Sequence, residues 1–394
     1  MKHVLVLNQY ALPREQGGGT RHIDLFSRVP GWRASIIAGN RSHYTQRKFT
    51  STDTHFTLVA VPPQDGSAQR RLASWIAYSF RALVAGVRKH NIDAVYASSP
   101  HLLAPLTGWV LAKYHRAAFI VEIRDLWPES FVAAGLLKRG STTHRALSLL
   151  ERFVISRADH IVGVTPGWEA YFQRLGVSKG RFSAIPNGTE PSDFALDSGF
   201  DRDEMRRRLN ISGVTAVFAG AHGPKDGIDQ ILDAAHELPH INFLLVGDGP
   251  SKKASIERAQ REMITNVEFR DPVAKSNLAE LLACCDIGIH SVTPLPVFEL
   301  GMSPNKLFDY LASGLPVVSN AGKAVEEIIG KDECGQIAGP DSLARSISRV
   351  FAASESERSR WSENAQGQLA SRFSRHAAAN RLHHVLENVC STTR

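Results

Sequence analysis

The chain alternates short, nearly continuous apolar runs with segments in which apolar residues recur every three or four positions. The first pattern predicts strands buried on both faces, and the second predicts amphipathic helices that cover them. The predicted strands are residues 3–7, 34–38, 56–61, 94–97, 119–123, 161–164, 182–185, 216–219, 243–246, 267–269, 287–290, 316–319 and 336–338. Repeated strand–helix alternation predicts an α/β protein with parallel sheets.

A stretch rich in Pro, Asp, Ser and Gly, residues 190–203, interrupts this alternation near the middle of the chain. Because 394 residues exceed one ordinary hydrophobic core, we predict two doubly wound, Rossmann-like domains. We place the first at residues 1–195 and the second at residues 204–370, followed by a C-terminal helix, residues 371–394, that packs back toward the first domain. Ligands of such sheets bind at the carboxyl ends of strands, so two facing domains predict a cleft.

The stretch from Ser303 to Asn320 predicts a helix, a stop and a strand. Ser303 is a good N-cap, and Pro304 suits the first helical position, where its missing N–H costs nothing. Gly314 suits the left-handed residue that follows a helix. A ligand-binding helix start is therefore one interpretation of this stretch.

The polar face of this predicted helix supports that interpretation. Asn305 and Asp309 lie one turn apart, with Lys306 beside them. A helix N-terminus with an amide and a cation attracts phosphate, and a carboxylate one turn further suits ribose hydroxyls. The alternative is a surface helix with a Lys306–Asp309 ion pair, although lysine then lies at the positive end of the helix dipole.

Charge and cysteine content narrow the class of protein. The net charge is +7, and the excess of basic residues lies in the first half of the chain. A basic half suits nucleic acid, an anionic membrane or a phosphorylated substrate, but no Lys/Arg-rich block interleaves with aromatics, which argues against nucleic acid. No cysteine pair has metal-ligand spacing, so we predict buried thiols in a reducing cytoplasm at Cys284, Cys285, Cys334 and Cys390.

The sequence gives little indication of a signal peptide or a membrane-spanning segment. Met1 leads directly into a strand, so we predict no signal peptide, and the longest apolar run, residues 102–112, is too short to span a bilayer. Residues 70–89 form a basic amphipathic helix, which suits either a membrane interface or packing against a core with solvated ends. Both apply if Trp75 and Phe80 face different surroundings. We therefore expect a cytoplasmic protein, with peripheral binding to the inner membrane face left open.

Several predicted strands end in residues suited to chemistry. Gly17–Gly19 after the first strand allow close backbone approach to a ligand, although the dinucleotide and P-loop spacings are absent. The strand at 119–123 runs into charges that are expensive to bury unless paired or used, namely Glu122, Arg124 and Asp125, followed by Trp127. His101 lies at an equivalent strand end. Tight turns close two further strands, at residues 185–190 and 247–250.

Together these pieces resemble the retaining glycosyltransferases of family 4, which have the GT-B fold of two Rossmann-like domains. The resemblance covers almost the whole chain. Its motifs are Gly17–Gly19, Pro186-Asn187-Gly188, residues 246–250, 267–269 and 278–286, and the run from Asp309 to Val318. A fuller pattern adds Thr20-Arg21-His22, Arg124 to Glu129 and Ser303 to Lys306, and resembles the WbuB-like subgroup of bacterial surface polysaccharide assembly.

The resemblance implies roles for particular residues and no metal or other cofactor. It implies that catalysis rests on Asp125, Arg124, Lys225 and Lys306. It implies donor contacts from Gly18, Gly19, Asn187, His222, Gly247, Arg270, Val273, Glu299, Ser303, Pro304, Asn305 and Asp309. It implies acceptor contacts from Arg21, His22, His101, Glu122 and Trp127.

Two positions depart from the family pattern. The family has two glutamates with seven residues between them; Asp309 matches the second, and the first falls on Gly301, with Glu299 nearby. The family also has an arginine after the first strand of its second domain, and here it is missing. His222 and Lys225, with Lys306, remain as cationic or donor groups for the diphosphate.

The implied activity is transfer of a sugar, with retention of configuration, from a UDP-sugar to an acceptor hydroxyl. The subgroup implies an N-acetylated amino sugar as a donor option and a lipid-linked sugar, at an anionic membrane surface, as acceptor. Two alternatives stay open: a UDP-sugar 2-epimerase of the same fold, and a non-catalytic nucleotide-sugar-binding partner subunit. The missing dinucleotide fingerprint argues against a nicotinamide dehydrogenase.

Overall fold

The apolar runs form two separate parallel sheets in the computed structural model, which describes residues 1–16, 19–43, 45–64, 67–133, 135–331, 333–339 and 343–392. The predicted strands all occur, within two residues at either end, so the predicted α/β class is confirmed. Within the described ranges, no helix is long and apolar enough to cross a membrane. The four cysteines are buried and free, as predicted.

Contacts divide the chain into two units, Met1–Pro186 with Ala378–Arg394, and Asn187–Ala377. The first sheet has the order β3-β2-β1-β4-β5-β6-β7. Its strands are β1 Lys2–Leu7, β2 Trp32–Gly39, β3 Phe56–Val59, β4 Ala94–Ser99, β5 Ala118–Ile123, β6 His160–Gly163 and β7 Phe182–Ala184. Its helices are α1 Arg21–Phe26, α2 Ala68–Val87, α3 Leu103–His115, α4 Glu129–Ala133, α5 Thr142–Arg157 and α6 Glu169–Arg174.

The second sheet has the order β10-β9-β8-β11-β12-β13. Its strands are β8 Thr215–Ala219, β9 Asn242–Val246, β10 Val267–Arg270, β11 Ile287–His290, β12 Val317–Ser319 and β13 Gly335–Ile337. The helices from this part of the chain are α7 Arg202–Arg208, α8 Ile228–Glu237, α9 Lys252–Arg261, α10 Lys275–Ala283, α11 Asn305–Ala312, α12 Glu326–Ile329, α13 Leu343–Phe351, α14 Glu355–Gln368 and α15 Arg375–Thr392.

In both sheets, every neighbouring pair of strands is parallel. The strand order reverses direction beside β1 in the first sheet and beside β8 in the second. Such switch points leave a crevice at the carboxyl ends of the flanking strands, which is where doubly wound sheets bind ligands. Two sites are therefore expected, one at β1 and β4 and one at β8 and β11.

The last helix, α15, completes the core of the first unit. Leu382 and Leu386 are fully buried with strand residues Val4 and Ile36. The indole N–H of Trp32 also donates a hydrogen bond to Glu387 (2.7 Å), so the helix is held by polar as well as apolar contacts. Removing the helix would expose the apolar residues on this face of the sheet.

Residues 187–195, which we assign to the first domain from the sequence, pack in the second unit. Phe194 is buried there beside Leu281 and Phe308. At Gly188 the backbone passes so close to the carbonyl oxygen of Phe373 that a Cβ would lie 1.9 Å from it. Real Cβ atoms do not approach an oxygen so closely, so glycine is required at this turn.

Substitution of this glycine should destabilise the second unit. We expect Gly188→Ala to lower the free energy of unfolding by about 1–3 kcal/mol, because backbone must move to admit the methyl group. Gly199→Ala is the matched control, since its Cβ would meet nothing within 4 Å. Urea unfolding followed by circular dichroism measures both. Equal stability of the two variants would contradict the close approach.

Candidate functional site

The loops that follow β8 and β11 are joined to each other at the switch point of the second sheet. Ser291 Oγ donates to the carbonyl of Gly227 (2.8 Å), and Thr293 Oγ1 donates to the carbonyl of Pro224 (2.8 Å). The backbone N–H of Thr293 also donates to the carbonyl of Lys225 (3.1 Å). The loop from residue 220 to 227 is thus fixed along one side.

A second loop, after β9, packs against the same segment through glycine. A Cβ on Gly247 would lie 1.8 Å from the carbonyl oxygen of Gly220, and a Cβ on Gly249 would lie 2.5 Å from that of His222. The backbone N–H of His222 donates to the carbonyl of Asp248 (2.9 Å). The Gly-Asp-Gly turn is therefore needed for packing between the two loops, and Gly247 acts here through its missing side chain.

Lys252, which the sequence interpretation missed, fastens this loop from the start of α9. Its ammonium group donates to the carbonyls of Gly247 (2.9 Å) and Arg270 (3.0 Å), and to Asp271 Oδ1 (2.8 Å). The signal available in the sequence was a lysine in the first helical turn after a Gly-Asp-Gly-Pro turn. Nothing in the spacing revealed which carbonyls it would reach.

Lys306 lies below the loop after β8. Its Nζ is 3.1 Å from Asp226 Oδ1 and 3.8 Å from the ring centroid of Phe218. A Cβ on Gly220 would lie 2.7 Å from Lys306 Cε, so this glycine makes room for the lysine stem. Burial lowers the pKa of Lys306, and Asp226 opposes that shift. The predicted alternative, an ion pair with Asp309, is wrong, because the lysine partner comes from another loop.

His222 is fully buried beside this lysine, and neither of its ring nitrogens has a hydrogen-bond partner in the described part of the chain. Burial, reinforced by Lys252 and Lys306, lowers its pKa to about 4. The ring is therefore neutral at pH 7 and is a candidate hydrogen-bond donor instead of a cation. An unpaired buried imidazole costs stability, which makes it a candidate for ligand contact.

The start of α11 differs from the sequence prediction. Pro304 is the N-cap residue, with extended backbone, and Asn305 is the first helical residue. Ser303 does not cap the helix, because its Oγ accepts from the backbone N–H of Asn187 (2.8 Å). The Asn187 side chain in turn donates to the Ser303 carbonyl (2.7 Å). These two predicted donor contacts bind each other and fix the helix start, while Asn305 is exposed. Gly314 has the predicted left-handed conformation, with φ +66°.

Asp309 lies one turn further along α11, among charged groups. Burial raises its pKa to about 6, although Lys275 and Arg375 act in the opposite direction. Thr189 hydrogen-bonds to its side chain. A largely buried carboxylate with a raised pKa and a hydroxyl partner is suited to accept hydrogen bonds from ligand hydroxyls. Lys275 and Thr189 were not predicted from the sequence.

The position of the absent glutamate has a backbone that favours glycine. Gly301 has φ +103°, a conformation that residues with a side chain rarely adopt. Glu299 lies two residues earlier in the short helical turn Pro296–Leu300 and is exposed. The chain here could not accept the family's glutamate without a change of backbone.

Three further predicted donor or catalytic residues lie at the end of β10 or in the loops after β8 and β10. Arg270 is held by Glu268 (2.6 Å and 2.8 Å) and by the carbonyl of Leu209 (2.8 Å). Val273 is 39% exposed after β10, and Lys225 is exposed at the tip of the loop after β8. Exposure leaves Val273 and Lys225 accessible to a ligand, whereas the guanidinium of Arg270 already has partners.

In the first unit, Glu122 is completely buried at the end of β5 and is fully paired. Arg21 Nε and His22 Nε2 donate to its two oxygens at 2.9 Å each. Burial alone would raise the pKa of Glu122, but Arg21 and His22 outweigh it and hold the pKa well below its usual range. Arg21 also donates to the carbonyls of Ile185 and Pro186. This network ties three segments together and leaves Glu122 and His22 closed to solvent.

Beside it, aromatic side chains gather at the ends of β4 and β5. Trp75 stacks on His101 (5.1 Å between centroids) and meets Trp127 edge to face (5.6 Å). His101 Nε2 donates a hydrogen bond to Gln9 Oε1 (2.8 Å), and burial lowers the pKa of His101 to about 3. His101 and Trp127 are nearly or fully buried, whereas Arg124 is half-buried and Asp125 exposed.

The glycine turn after β1 is described only in part. Gly19 has φ +46°, and a Cβ there would lie 3.2 Å from the carbonyl oxygen of Tyr10, so the turn favours glycine. Gly18, the other predicted donor contact, lies outside the described residues. Across the residues that are described, no group of three His, Cys, Asp or Glu side chains could hold a metal ion.

Two protein-family models match the chain. Residues 28–188 match the glycosyl transferase 4-like domain, and residues 213–353 match glycosyl transferases group 1. The first match lies in the first unit except for its last two residues, and the second match lies in the unit that carries the β8–β11 switch point.

Individual relatives agree with these matches. The chain is 25% identical over 298 residues to the probable glycosyltransferase WbjE of Pseudomonas aeruginosa, covering 71% of this chain and 72% of that protein. It is 26% identical over 220 residues to the putative teichuronic acid biosynthesis glycosyltransferase TuaH of Bacillus subtilis (strain 168), covering 55% and 52%. The structure of Anabaena HepE in complex with UDP-glucose superposes with a TM-score of 0.71 at 17% identity, covering 98% and 100%.

Replacing His222 should stabilise the protein. We expect His222→Leu to raise the free energy of unfolding by about 1–3 kcal/mol at pH 8, because two unpaired buried nitrogens are removed. The gain should be larger at pH 5, since the unfolded state of the native chain binds a proton there that the folded state resists. Urea unfolding at the two pH values measures this.

His290→Leu is the control for that substitution, because His290 is equally buried but its Nδ1 is hydrogen-bonded to Ser319 Oγ (2.8 Å). We expect His290→Leu to lower stability. If His222→Leu lowered stability as much as His290→Leu, the imidazole of His222 would have partners that the structure does not show.

Breaking the hydrogen-bond network around Glu122 should lower the stability of the protein. We expect Arg21→Gln to lower the free energy of unfolding by about 3–5 kcal/mol, because it leaves a buried carboxylate without its main partner. Arg14→Gln is the matched control, since the side chain of Arg14 is half exposed in its ion pair with Asp24. A loss below 1 kcal/mol for Arg21→Gln would contradict the assigned pairing.

Proposed function

Since this chain is a glycosyltransferase of the GT-B type, we propose that it transfers a sugar from a UDP-sugar to a hydroxyl of a saccharide or lipid-linked acceptor. The proposal rests on the β8–β11 switch point. The glycine-containing loops after β8 and β9, the start of α11 and Asp309 all contribute to a site there. Backbone N–H groups at a helix start suit a diphosphate, and the carboxylate one turn below suits ribose hydroxyls.

The donor assignment has two supports. The solved structure of HepE holds UDP-glucose in a chain of the same fold. In the present chain, Asp309 keeps a raised pKa in a largely buried position, as expected of a carboxylate retained for ligand binding. We propose uridine as the base, contacted by the turn from Arg270 to Val273. Donors with glucose-type and N-acetylated amino sugars are both compatible with Gly301, where no side chain contacts the sugar.

We propose the following roles for the donor site. Lys306 and Lys225 supply positive charge, and His222 donates a hydrogen bond, as negative charge grows on the leaving diphosphate. The α11 start, Pro304 to Asn305, directs backbone dipoles at the same group. The bond from the anomeric carbon to the diphosphate oxygen breaks, and a bond to the acceptor oxygen forms on the same face of the sugar. The acceptor proton passes to the leaving phosphate, so no protein base is needed.

We propose that the first unit binds the acceptor. Asp125 and Arg124 are accessible at the end of β5, next to the aromatic group of Trp75 and Trp127, and they are the residues we assign to the reacting hydroxyl. His101, Glu122, Arg21 and His22 then act by holding this strand end in place. The acceptor class, a lipid-linked sugar of bacterial surface polysaccharide assembly, is supported by the WbuB-like motifs and by the similarity to TuaH.

A thermal-shift screen tests the donor assignment. Ligands that bind the native state raise its melting temperature. We expect UDP, UDP-glucose or UDP-N-acetylglucosamine to raise the melting temperature, with no shift from ADP or GDP. Donors that bind are then incubated with and without acceptor sugars. A UDP-sugar epimer formed without acceptor would replace the proposal with a 2-epimerase, and binding without any turnover would replace it with a non-catalytic subunit.

Asp309→Asn separates binding from stability. Because burial raises the pKa of Asp309 to about 6, ionisation at pH 7.5 costs folding free energy, and we expect the uncharged variant to have an equal or higher melting temperature. We also expect the UDP-induced shift to disappear. Below pH 6 the native chain should lose UDP affinity as Asp309 becomes protonated, whereas the variant should show no such pH dependence.

Asp229→Asn is the control, because Asp229 is exposed on α8 and pairs with Arg258. It should keep the full UDP-induced shift. A UDP response that survives Asp309→Asn at full size would remove Asp309 from the nucleotide site.

A further inference from the structure

Helix α2 places its large apolar side chains on the side away from the core. Its fully buried residues are small or polar apart from one tyrosine, and they recur every four positions: Ser74, Tyr78, Ala82 and Gly86. Its exposed apolar residues also recur every four positions, with exposed fractions of 48% for Leu72, 54% for Ile76, 66% for Phe80 and 37% for Val84. The two sets are offset by two residues, or roughly 200° around the helix, and so lie on opposite faces.

The neighbouring helix α3 also carries exposed apolar side chains. Gly86 of α2 lies against Leu111 of α3, where a Cβ would come within 2.5 Å of Leu111 Cδ1, so the two helices pack closely. On α3, Val110 is 39% exposed and Tyr114 is 64% exposed. We call these six residues, Leu72, Ile76, Phe80, Val84, Val110 and Tyr114, the apolar face. A row of large apolar side chains on the solvent side of a helix is a mark of an interaction surface.

The charged side chains that α2 and α3 themselves contribute are all basic. Neither α2 nor α3 contains an aspartate or a glutamate. Arg70, Arg81 and Arg88 are exposed and fall within roughly 20° of one another around the axis of α2, along one edge of the apolar row. Lys113 is exposed on α3. A partner for this surface must offer apolar depth and negative charge together.

We propose that the apolar face is a docking surface for an anionic lipid bilayer. The row from Leu72 to Val84 runs roughly 18 Å along the helix, which suits a helix lying flat in the interface with its apolar side chains among the acyl chains. Arginines beside the row would contact the phosphate headgroups of such a bilayer. A second copy of this chain fits poorly, because pairing two such faces would bring the arginine rows together without a carboxylate from α2 or α3 between them.

Docking of α2 on a bilayer would also bring the acceptor site close to the membrane. This step, unlike the docking itself, rests on the proposed function. Trp75 directly precedes Ile76 on α2. It is half-buried in the aromatic group with His101 and Trp127. The helix that docks therefore also forms one wall at the ends of β4 and β5. A bilayer at the apolar face lies beside that strand end, which is where a lipid-linked acceptor would present its sugar.

Vesicle flotation without any nucleotide tests the docking. Vesicles of phosphatidylcholine with phosphatidylglycerol are compared with phosphatidylcholine alone, at low salt and at about 0.5 M salt, where screening shortens to a few ångströms. We expect the native chain to float with the anionic vesicles at low salt, and to float much less in either other condition. We expect Ile76→Ser/Phe80→Ser to lower vesicle affinity by about tenfold or more.

The matched control is Leu149→Ser/Met263→Ser, which removes two apolar side chains of equal or greater exposure, 68% and 82%, elsewhere on the surface. It should float like the native chain. Equal flotation of the two double variants, or no flotation of the native chain with anionic vesicles, would overturn the proposal. So would a dimer, seen by light scattering without lipid, that Ile76→Ser/Phe80→Ser dissociates.

Failure here is distinguishable from failure of the proposed function. The UDP-induced rise in melting temperature is measured on the same variants, and Ile76→Ser/Phe80→Ser should keep it, since neither residue belongs to the second unit. Loss of flotation with an intact UDP response supports the docking surface. Loss of both flotation and the UDP response would mean that the double variant is misfolded. The variant Arg70→Gln/Arg88→Gln then tests the docking surface instead. This pair should weaken binding to anionic vesicles while leaving the melting temperature unchanged, and unchanged binding would overturn the proposal.

Discussion

The approach of Gly247 to the carbonyl of Gly220 is the constraint on which the second unit's site depends. The gap leaves no space for a Cβ, so the loops after β8 and β9 can lie against each other with hydrogen bonds between their backbones. Because the loops meet there, His222 is enclosed between them and Lys306 can extend beneath Gly220 to Asp226. The polar floor of the site is thus a consequence of backbone packing at two glycines.

Glu122 differs from His222 and Asp309 in how far its partners offset the cost of burial. Glu122 in the first unit has a hydrogen-bond donor on each oxygen, and one of them, Arg21, is charged, so its burial is compensated and its pKa stays low. His222 and Asp309 in the second unit carry the cost of burial, visible as a lowered and a raised pKa. Groups held at a cost to folding are the ones expected to gain from a ligand.

Much of the fold was predictable because strands buried on both faces leave continuous apolar runs, and because Gly314 marks the end of a helix by its conformation. The hydrogen-bond and ion-pair partners of the site residues were not predictable in this way. Lys306 pairs with Asp226, 80 positions away, and Lys252 reaches carbonyls on two different strands' ends. Local spacing suggested Asp309 for the lysine and the helix cap for Ser303. Both were wrong, because tertiary packing decides which polar group a side chain meets.

The central claim is that the nucleotide-sugar binds at the β8–β11 switch point of the second unit. Hydrogen–deuterium exchange with and without saturating UDP tests it on the native chain, because bound ligand slows exchange where backbone amides are covered or ordered. We expect protection confined to residues 220–227, 247–251, 271–275 and 303–309. Protection concentrated elsewhere in the described chain, with these four segments unchanged, would contradict it.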